Sequence, residues 1–584
     1  MRGFIKQLLS VILGNAIFFG LFLLTFVLIL IGIASSKEDK VTIHSDSVLK
    51  ISINDALNEL PSNQEDIFSI MNEDRGTSLH EIIESIEKAK DDDKIKALYL
   101  ELNLNSSLSY SQIDLLRNAI QNFNNSKKSS IAYGEVCSQK MYYLASACNK
   151  IFLNPIGMVD FRGFGAEITF FKKTLDKLEI TPQVFYAGKF KSATEPFRYE
   201  KMSEENKIQT KELLMDIKNN VWQEISKARK IPTDSIDYYV NNLLLYNSEN
   251  LKKYNFIDNI YYQDEVETYL KKITESKDKI SFIDIETYHK EIQENKKNPI
   301  AIYIAEGNIM DGEAEEGSIG SINMVEDLKK IQNDDKIKGV VLRINSPGGS
   351  ALASDVILRE IENLQKKKKV VVSMGNVAAS GGYYIASSAD KIFAEKNTIT
   401  GSIGVFSIIP NFQKLFENKL GITFDEVELN DHAIMGLNKP FDDTESKYAQ
   451  IQTEQIYTRF KSIVGKGRKL HTDSVENIAQ GRVWSGEKAR KIGLVDQIGT
   501  LQDAINYVAK ETNSEAKAYV FNTAPSFFDK IKKQKGLIQV FKSYFTEILL
   551  GKDLAKNITN YQEVVETNLT KKSIQMKMYF DLKM

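Results

Sequence analysis

The sequence predicts an α/β protein: a tandem duplication of one domain, with mainly parallel sheets covered by helices, preceded by an N-terminal transmembrane helix. Three observations carry this. The chain repeats itself. Each half alternates short β-rich runs with helical stretches. One N-terminal stretch is too long and too apolar for an ordinary core helix.

The N-terminal stretch is LLSVILGNAIFFGLFLLTFVLILIGIA, residues 8–34, with no charged residue. At 1.5 Å per residue, about 27 residues reach roughly 40 Å, more than the ~30 Å hydrocarbon core. A cleaved signal peptide has a shorter apolar region, so the stretch reads as an uncleaved anchor in the lipid bilayer. Arg2 and Lys6 precede it, whereas Lys37 and Lys40 are mixed with Glu38 and Asp39. The positive-inside rule puts residues 1–7 in the cytoplasm and everything after Ala34 outside it.

The duplication shows in register. DDKIKALYLELNLNSS (92–107) matches DDKIKGVVLRINSPGG (334–349). YGEVCSQKMYYLASACNKIF (133–152) matches MGNVAASGGYYIASSADKIF (374–393) without a gap. Leu178–Phe197 answers Leu420–Phe441 with a small gap. The predicted domains are a first repeat over 45–295, a second over 296–522, and a helical, partly apolar C-terminal arm over 523–584. Within the second repeat PIAIYIAEG, IKGVVLRIN and KVVVSMG read as buried strands, and SALASDVILREIENLQKKKK as an amphipathic helix between two of them. Strand–helix–strand order implies right-handed crossovers and a parallel core sheet.

Composition narrows the function. A formal net charge of −2 argues against a general nucleic-acid binder. Two cysteines, Cys137 and Cys148, exclude a disulfide framework and allow one bridge. No Cys/His cluster has metal-ligand spacing, and the five histidines are scattered. No metal or other cofactor is expected.

Chemistry is concentrated in two bare loops at predicted strand ends. Ser380 stands in AASGGYY, with Gly381 and Gly382 leaving backbone N–H groups uncovered. A serine nucleophile needs a base and donors for the oxyanion, and N–H groups at a helix start are orphan donors. The second loop, RINSPGGS, ends the preceding strand, so in a parallel sheet the two loops are neighbours. Gly348 or Gly349 can add a further oxyanion donor.

SPGG, AASGGYY and TGSIGVF (400–406) together resemble the signal peptide peptidases of the protease IV type, membrane-anchored serine proteases with the fold shared by Clp-type proteases and crotonases. The duplicated layout resembles their long, two-repeat form. That resemblance implies a lysine base. AGKFKSATEPF in the first half resembles the family's Lys-Ser segment and puts Lys191 at the general-base position, with Lys189 as the alternative; Ser402 fits the lysine-orienting role. His432, beside Asp431, is the only local histidine candidate, and nothing around it marks a base. The first half has Gln139 where the second has Ser380, and the second has no lysine where the first has Lys191. The expectation is one composite site: base from the first repeat, nucleophile and oxyanion hole from the second. A neutral lysine must be enclosed, with Glu195 pointing elsewhere. The resemblance further implies cleaved signal peptides as substrates, a homotetramer, and a bacterial cytoplasmic membrane location with the catalytic part on the periplasmic side. The competing readings are a catalytically inactive membrane scaffold of the same fold and a crotonase-like acyl-CoA hydratase or isomerase.

Overall fold

The computed structural model describes residues 43–59, 77–276, 279–292, 298–314, 317–522 and 575–577, with Gly14 and Phe18 alone near the N-terminus. The expected anchor over 8–34 and nearly all of the expected arm over 523–584 lie outside these residues. Among the described residues no helix is long and apolar enough to cross a membrane.

The first repeat contributes strands β1 (Ser47–Ser52), β2 (Ile95–Glu101), β3 (Ser129–Ser138), β4 (Lys150–Asp160), β5 (Thr181–Ala187), β6 (Asn259–Ile260) and β7 (Phe282–Asp284). Six of them form a sheet in the order β6-β4-β3-β2-β1-β7, parallel at every pairing. Its helices include α1 (Leu79–Asp91), α2 (Tyr110–Asn124), α3 (Gln139–Ala145) and α4 (Glu204–Arg229). Capping boxes start α1 and α2, with Ser78 and Glu81, and Ser109 and Gln112, exchanging side-chain and backbone hydrogen bonds.

The second repeat contributes β8 (Ile300–Glu306), β9 (Asn308–Met310), β10 (Ser318–Gly320), β11 (Gly339–Ser346), β12 (Gly348–Ser350), β13 (Lys369–Ala379), β14 (Lys391–Ala394), β15 (Ile399–Gly401), β16 (Val405–Asn411), β17 (Val483–Ser485), β18 (Gln497–Ile498) and β19 (Ala518–Val520). Its sheet runs β17-β15-β13-β11-β8-β19, with β14 and β18 branching from β13. The helices α5 (Ser321–Asn333), α6 (Ala351–Gln365), α7 (Gly381–Ala386) and α8 (Asp443–Arg468) follow the order of α1 to α4. Val340, Val341 and Leu342 are fully buried on successive faces, as expected of a parallel strand covered on both sides.

A third sheet belongs to neither repeat alone. Its order is β10-β9-β12-β20-β16-β5, where β20 is Gln575–Lys577. β5 of the first repeat pairs antiparallel with β16 of the second along its whole length, Thr181 opposite Asn411 and Ala187 opposite Val405. The repeats are also joined internally. Ala379, Ile399 and Val483 pack into the first repeat's core. Arg343, on β11, reaches back to Glu59 through two hydrogen bonds of 2.8 and 3.1 Å, and both side chains are buried. Asn397 links to Asp114 (2.8 Å) and Asn220 (3.0 Å).

Candidate active site

β13 runs on through the bare Gly-Asn-Val-Ala-Ala stretch to Ala379, so Ser380 sits directly between strand and helix, with no loop in between. α7 begins at Gly381. Ser380 turns the chain at φ 54°, ψ −117°, a conformation rare outside glycine. The turn is held at both ends: the Ser380 N–H donates to Gly401 O (2.9 Å) and the Tyr384 N–H to Ser380 O (2.8 Å). The small neighbours are required. A Cβ on Gly381 would meet Ser354 Oγ at 2.7 Å and lie 3.2 Å from Gly349 N; one on Gly382 would meet Ser346 O at 2.6 Å. The Ser-Pro-Gly-Gly loop therefore packs against the first turn of α7, bringing the two bare segments together. The Gly348 N–H donates to Ser346 Oγ (3.1 Å).

Lys191 arrives from the other repeat. The segment after β5 crosses to the second repeat, where the Phe190 N–H donates to Gln480 O (2.8 Å). Gly481, at φ +76°, allows this approach, because a Cβ there would lie 2.6 Å from Lys191 Cβ. Gln209 on α4 braces the segment by donating to Phe190 O (3.0 Å) and Ser192 Oγ (2.9 Å). Lys191 Nζ then lies 2.9 Å from Ser380 Oγ, 3.0 Å from Ser402 Oγ and 3.1 Å from Ser402 O. All of this happens within one chain. Ser380 is 0% and Lys191 2% exposed. Burial alone pulls the Lys191 amine down from 10.5 to about 7, since no charged group contributes. Glu195, four residues on, is turned away and held by the Ser203 N–H, the Ser203 hydroxyl and the Asn206 amide.

The other residues singled out in the sequence lie elsewhere. Lys189 is exposed beside the Phe190 ring. His432 faces Asp442 (3.7 Å) and Glu445 (3.5 Å). Gln139, at the position equivalent to Ser380, starts α3 and bonds Gly163 through both ends of its amide. Cys137 and Cys148 are free and buried.

Residues 122–277 and 362–515 match Peptidase family S49, once in each repeat, and residues 307–399 match the Clp protease family. Protease 4 of Haemophilus influenzae is 36% identical over 543 residues, 88% of this chain and 86% of that protein. Protease 4 of Salmonella typhi is 33% identical over 444 residues, 74% and 72% of the two chains. The chloroplastic serine protease SPPA of Arabidopsis thaliana is 33% identical over 451 residues, 75% of this chain and 66% of that one.

The chain belongs to peptidase family S49. It is a serine protease of the protease IV type, built from two S49 repeats on an α/β, Clp-protease-like fold. Sequence reasoning missed three residues that shape the S49 site: Gly481, Gln480 and Gln209. Gly481 opens GRVWSGEKARKIGLVDQIG (481–499), and nothing in that stretch signals a contact with Lys191. Phe406 was also missed; its ring centroid lies 5.9 Å from Lys191 Nζ and adds to the apolar enclosure.

Proposed function

We propose that the chain is a membrane-anchored endopeptidase using a Ser380–Lys191 dyad. The observation that carries this is the buried amine of Lys191, 2.9 Å from Ser380 Oγ, with no carboxylate against it. A neutral amine has two N–H donors and one lone pair. The two Ser402 oxygens take the donors, which leaves the lone pair for the Ser380 hydroxyl proton. Ser402 thus orients the base without the carboxylate that would hold it protonated.

In this reading Lys191 accepts the Ser380 proton as Oγ attacks a peptide carbonyl. The N–H groups of Gly381 and of Gly349 stabilise the oxyanion, and Gly348, whose own N–H is engaged by Ser346, shapes the loop. The lysinium gives its proton to the leaving amine as the C–N bond breaks. Lys191 then takes a proton from water, which attacks the acyl ester, and returns it to Ser380 Oγ. The substrate lies extended in the slot between β12 and β16, where residues 575–577 now run antiparallel to both.

The substrates we propose are cleaved signal peptides and similar short apolar segments. The apolar stretch over 8–34 would keep the site beside the bilayer, on the periplasmic face of a bacterial cytoplasmic membrane, in a homotetramer. The test uses the full-length protein in detergent. A fluorophosphonate probe is expected to label Ser380 only, and Ser380→Ala and Lys191→Ala are each expected to lose peptide cleavage. Cleavage that survives Lys191→Ala with the fold intact would remove the dyad.

A further inference from the structure

Away from the dyad, a polar cavity of about 180 Å³ opens where the two repeats meet. Its walls come from α2 and α4 of the first repeat and from the turn between β14 and β15 of the second. One water needs only roughly 10–15 Å³ of such space, so there is room for a small molecule. Asn118 and Gln121 are exposed at the mouth, whereas Arg117 is 2% and Glu395 4% exposed.

Most charged groups of the lining are already engaged. Asp114 accepts from the Tyr143 hydroxyl (2.6 Å) and the Asn397 amide (2.8 Å). Asp503 accepts from the Thr500 N–H (2.7 Å) and hydroxyl (3.0 Å). Glu224 Oε1 accepts from Lys227 (3.1 Å) and Lys396 (3.3 Å). Two buried atoms of opposite charge are not satisfied. Arg117 gives Nη1 to Tyr143 O and Ser146 Oγ, but its Nη2 makes no hydrogen bond, and Glu224 Oε2 stands 3.9 Å off. Glu395 Oε1 has no hydrogen-bond partner either. Leaving such groups unanswered in a buried setting is costly, so the pair points to a ligand with the complementary charges. A lone anion would leave Glu395 unanswered, and a lone cation would leave Arg117. Among the described residues these carboxylates do not group closely enough to hold a metal ion.

We propose that the cavity binds a small zwitterion, a free α-amino acid, whose carboxylate accepts from Arg117 Nη2 and whose ammonium donates to Glu395. Such a ligand bridges the repeats. It also seats on the turn that leads to the dyad. The Glu395 N–H donates to Thr398 Oγ1 (3.1 Å) and the Thr398 N–H to Glu395 O (3.2 Å). From there the chain runs through β15 to Gly401, which accepts from the Ser380 N–H, and to Ser402, which holds Lys191. Occupancy therefore stabilises the contact between repeats on which the composite site depends. Burial pushes the Glu395 carboxyl well above the usual carboxylate range; Arg343 opposes this, and Asp114, Asp503 and Glu59 add to it. An ammonium takes the place of that proton, so binding releases it. The inference rests on the cavity and not on the peptidase reading.

The test is isothermal titration calorimetry of the full-length protein in detergent with L-alanine, and with acetate and methylammonium as the two half-ligands. L-Alanine is expected to bind saturably and roughly tenfold or more tighter than either half, because one molecule makes both contacts. The measured heat is expected to vary with the ionisation enthalpy of the buffer as a proton leaves Glu395, and Tm to rise with alanine concentration. Two variants address the cavity separately. Glu395→Gln removes the charge and keeps the shape. Asn118→Trp fills the mouth and leaves both buried charges in place. Each is expected to weaken binding by roughly tenfold or more while circular dichroism reports an intact fold. Ser380→Ala is expected to bind as the parent does, which separates this cavity from the dyad. No saturable binding, equal affinity for acetate or methylammonium, or binding that survives both cavity variants would overturn the proposal.

Discussion

Lys191 is predicted to weaken the fold it serves, and the effect has a definite pH signature. Its amine falls from 10.5 to about 7 through burial. At about 1.36 kcal/mol per pKa unit this corresponds to a cost of roughly 5 kcal/mol below pH 7. The folded state is the one with the lowered pKa, so between pH 7 and 10.5 the unfolded chain holds one proton more. Stability therefore rises with pH across that window, and the cost has vanished above it. Methionine has a similar volume and no charge, but it gives up the two hydrogen bonds to Ser402, worth about 1 kcal/mol each. Comparing Ser380→Ala with Ser380→Ala/Lys191→Met removes turnover from both sides of the measurement. The lysine-free protein is expected to be more stable by about 2–3 kcal/mol at pH 6, an increase of a few degrees in Tm. The advantage should shrink steadily above pH 7 and reverse slightly near pH 10. Thermal melts followed by circular dichroism from pH 5 to 10 read it directly. A difference that does not change with pH, or a methionine variant less stable at pH 6, would refute the claim that burial sets the amine's protonation.

The same amine predicts that kcat/KM rises with pH through about 7, because only the deprotonated form accepts the serine proton; a flat profile from pH 5.5 to 8.5 would count against it. Lys189→Ala is expected to keep activity within about twofold while Lys191→Ala loses at least 10³-fold, measured side by side on one peptide. Gly481→Ala would place a Cβ 2.6 Å from Lys191 Cβ, so cleavage should fall at least tenfold; substantially intact turnover would show that the segment tolerates displacement. Glu59→Gln leaves the Arg343 guanidinium buried without its carboxylate and is expected to cost about 3–5 kcal/mol in denaturant unfolding.

Much of the site was readable because local chemistry demanded it. The glycines beside Ser380 are required by the chain's own packing, because a Cβ at Gly381 would meet Ser354 Oγ and one at Gly382 would meet Ser346 O. Glu195 was expected to turn away from Lys191 on electrostatic grounds, and its buried bonds to Ser203 and Asn206 are the means. Lys191 itself looked like any surface lysine, and only family likeness singled it out. Its burial depends on Gly481, nearly 300 residues further on, and no local pattern encodes such a contact.

The duplicated α/β architecture, the strand-end placement of Ser380, and the differences between repeats at the Ser380/Gln139 and Lys191 positions were all legible in the sequence alone. Periodicity, turn chemistry and internal self-similarity are properties of short stretches, and they survive without knowledge of the partner. Packing in three dimensions settled that amine and hydroxyl meet inside one chain, that Ser402 offers two oxygens to one nitrogen, and that β5 of one repeat pairs with β16 of the other. Those are distances between segments remote in sequence, fixed by how two sheets pack.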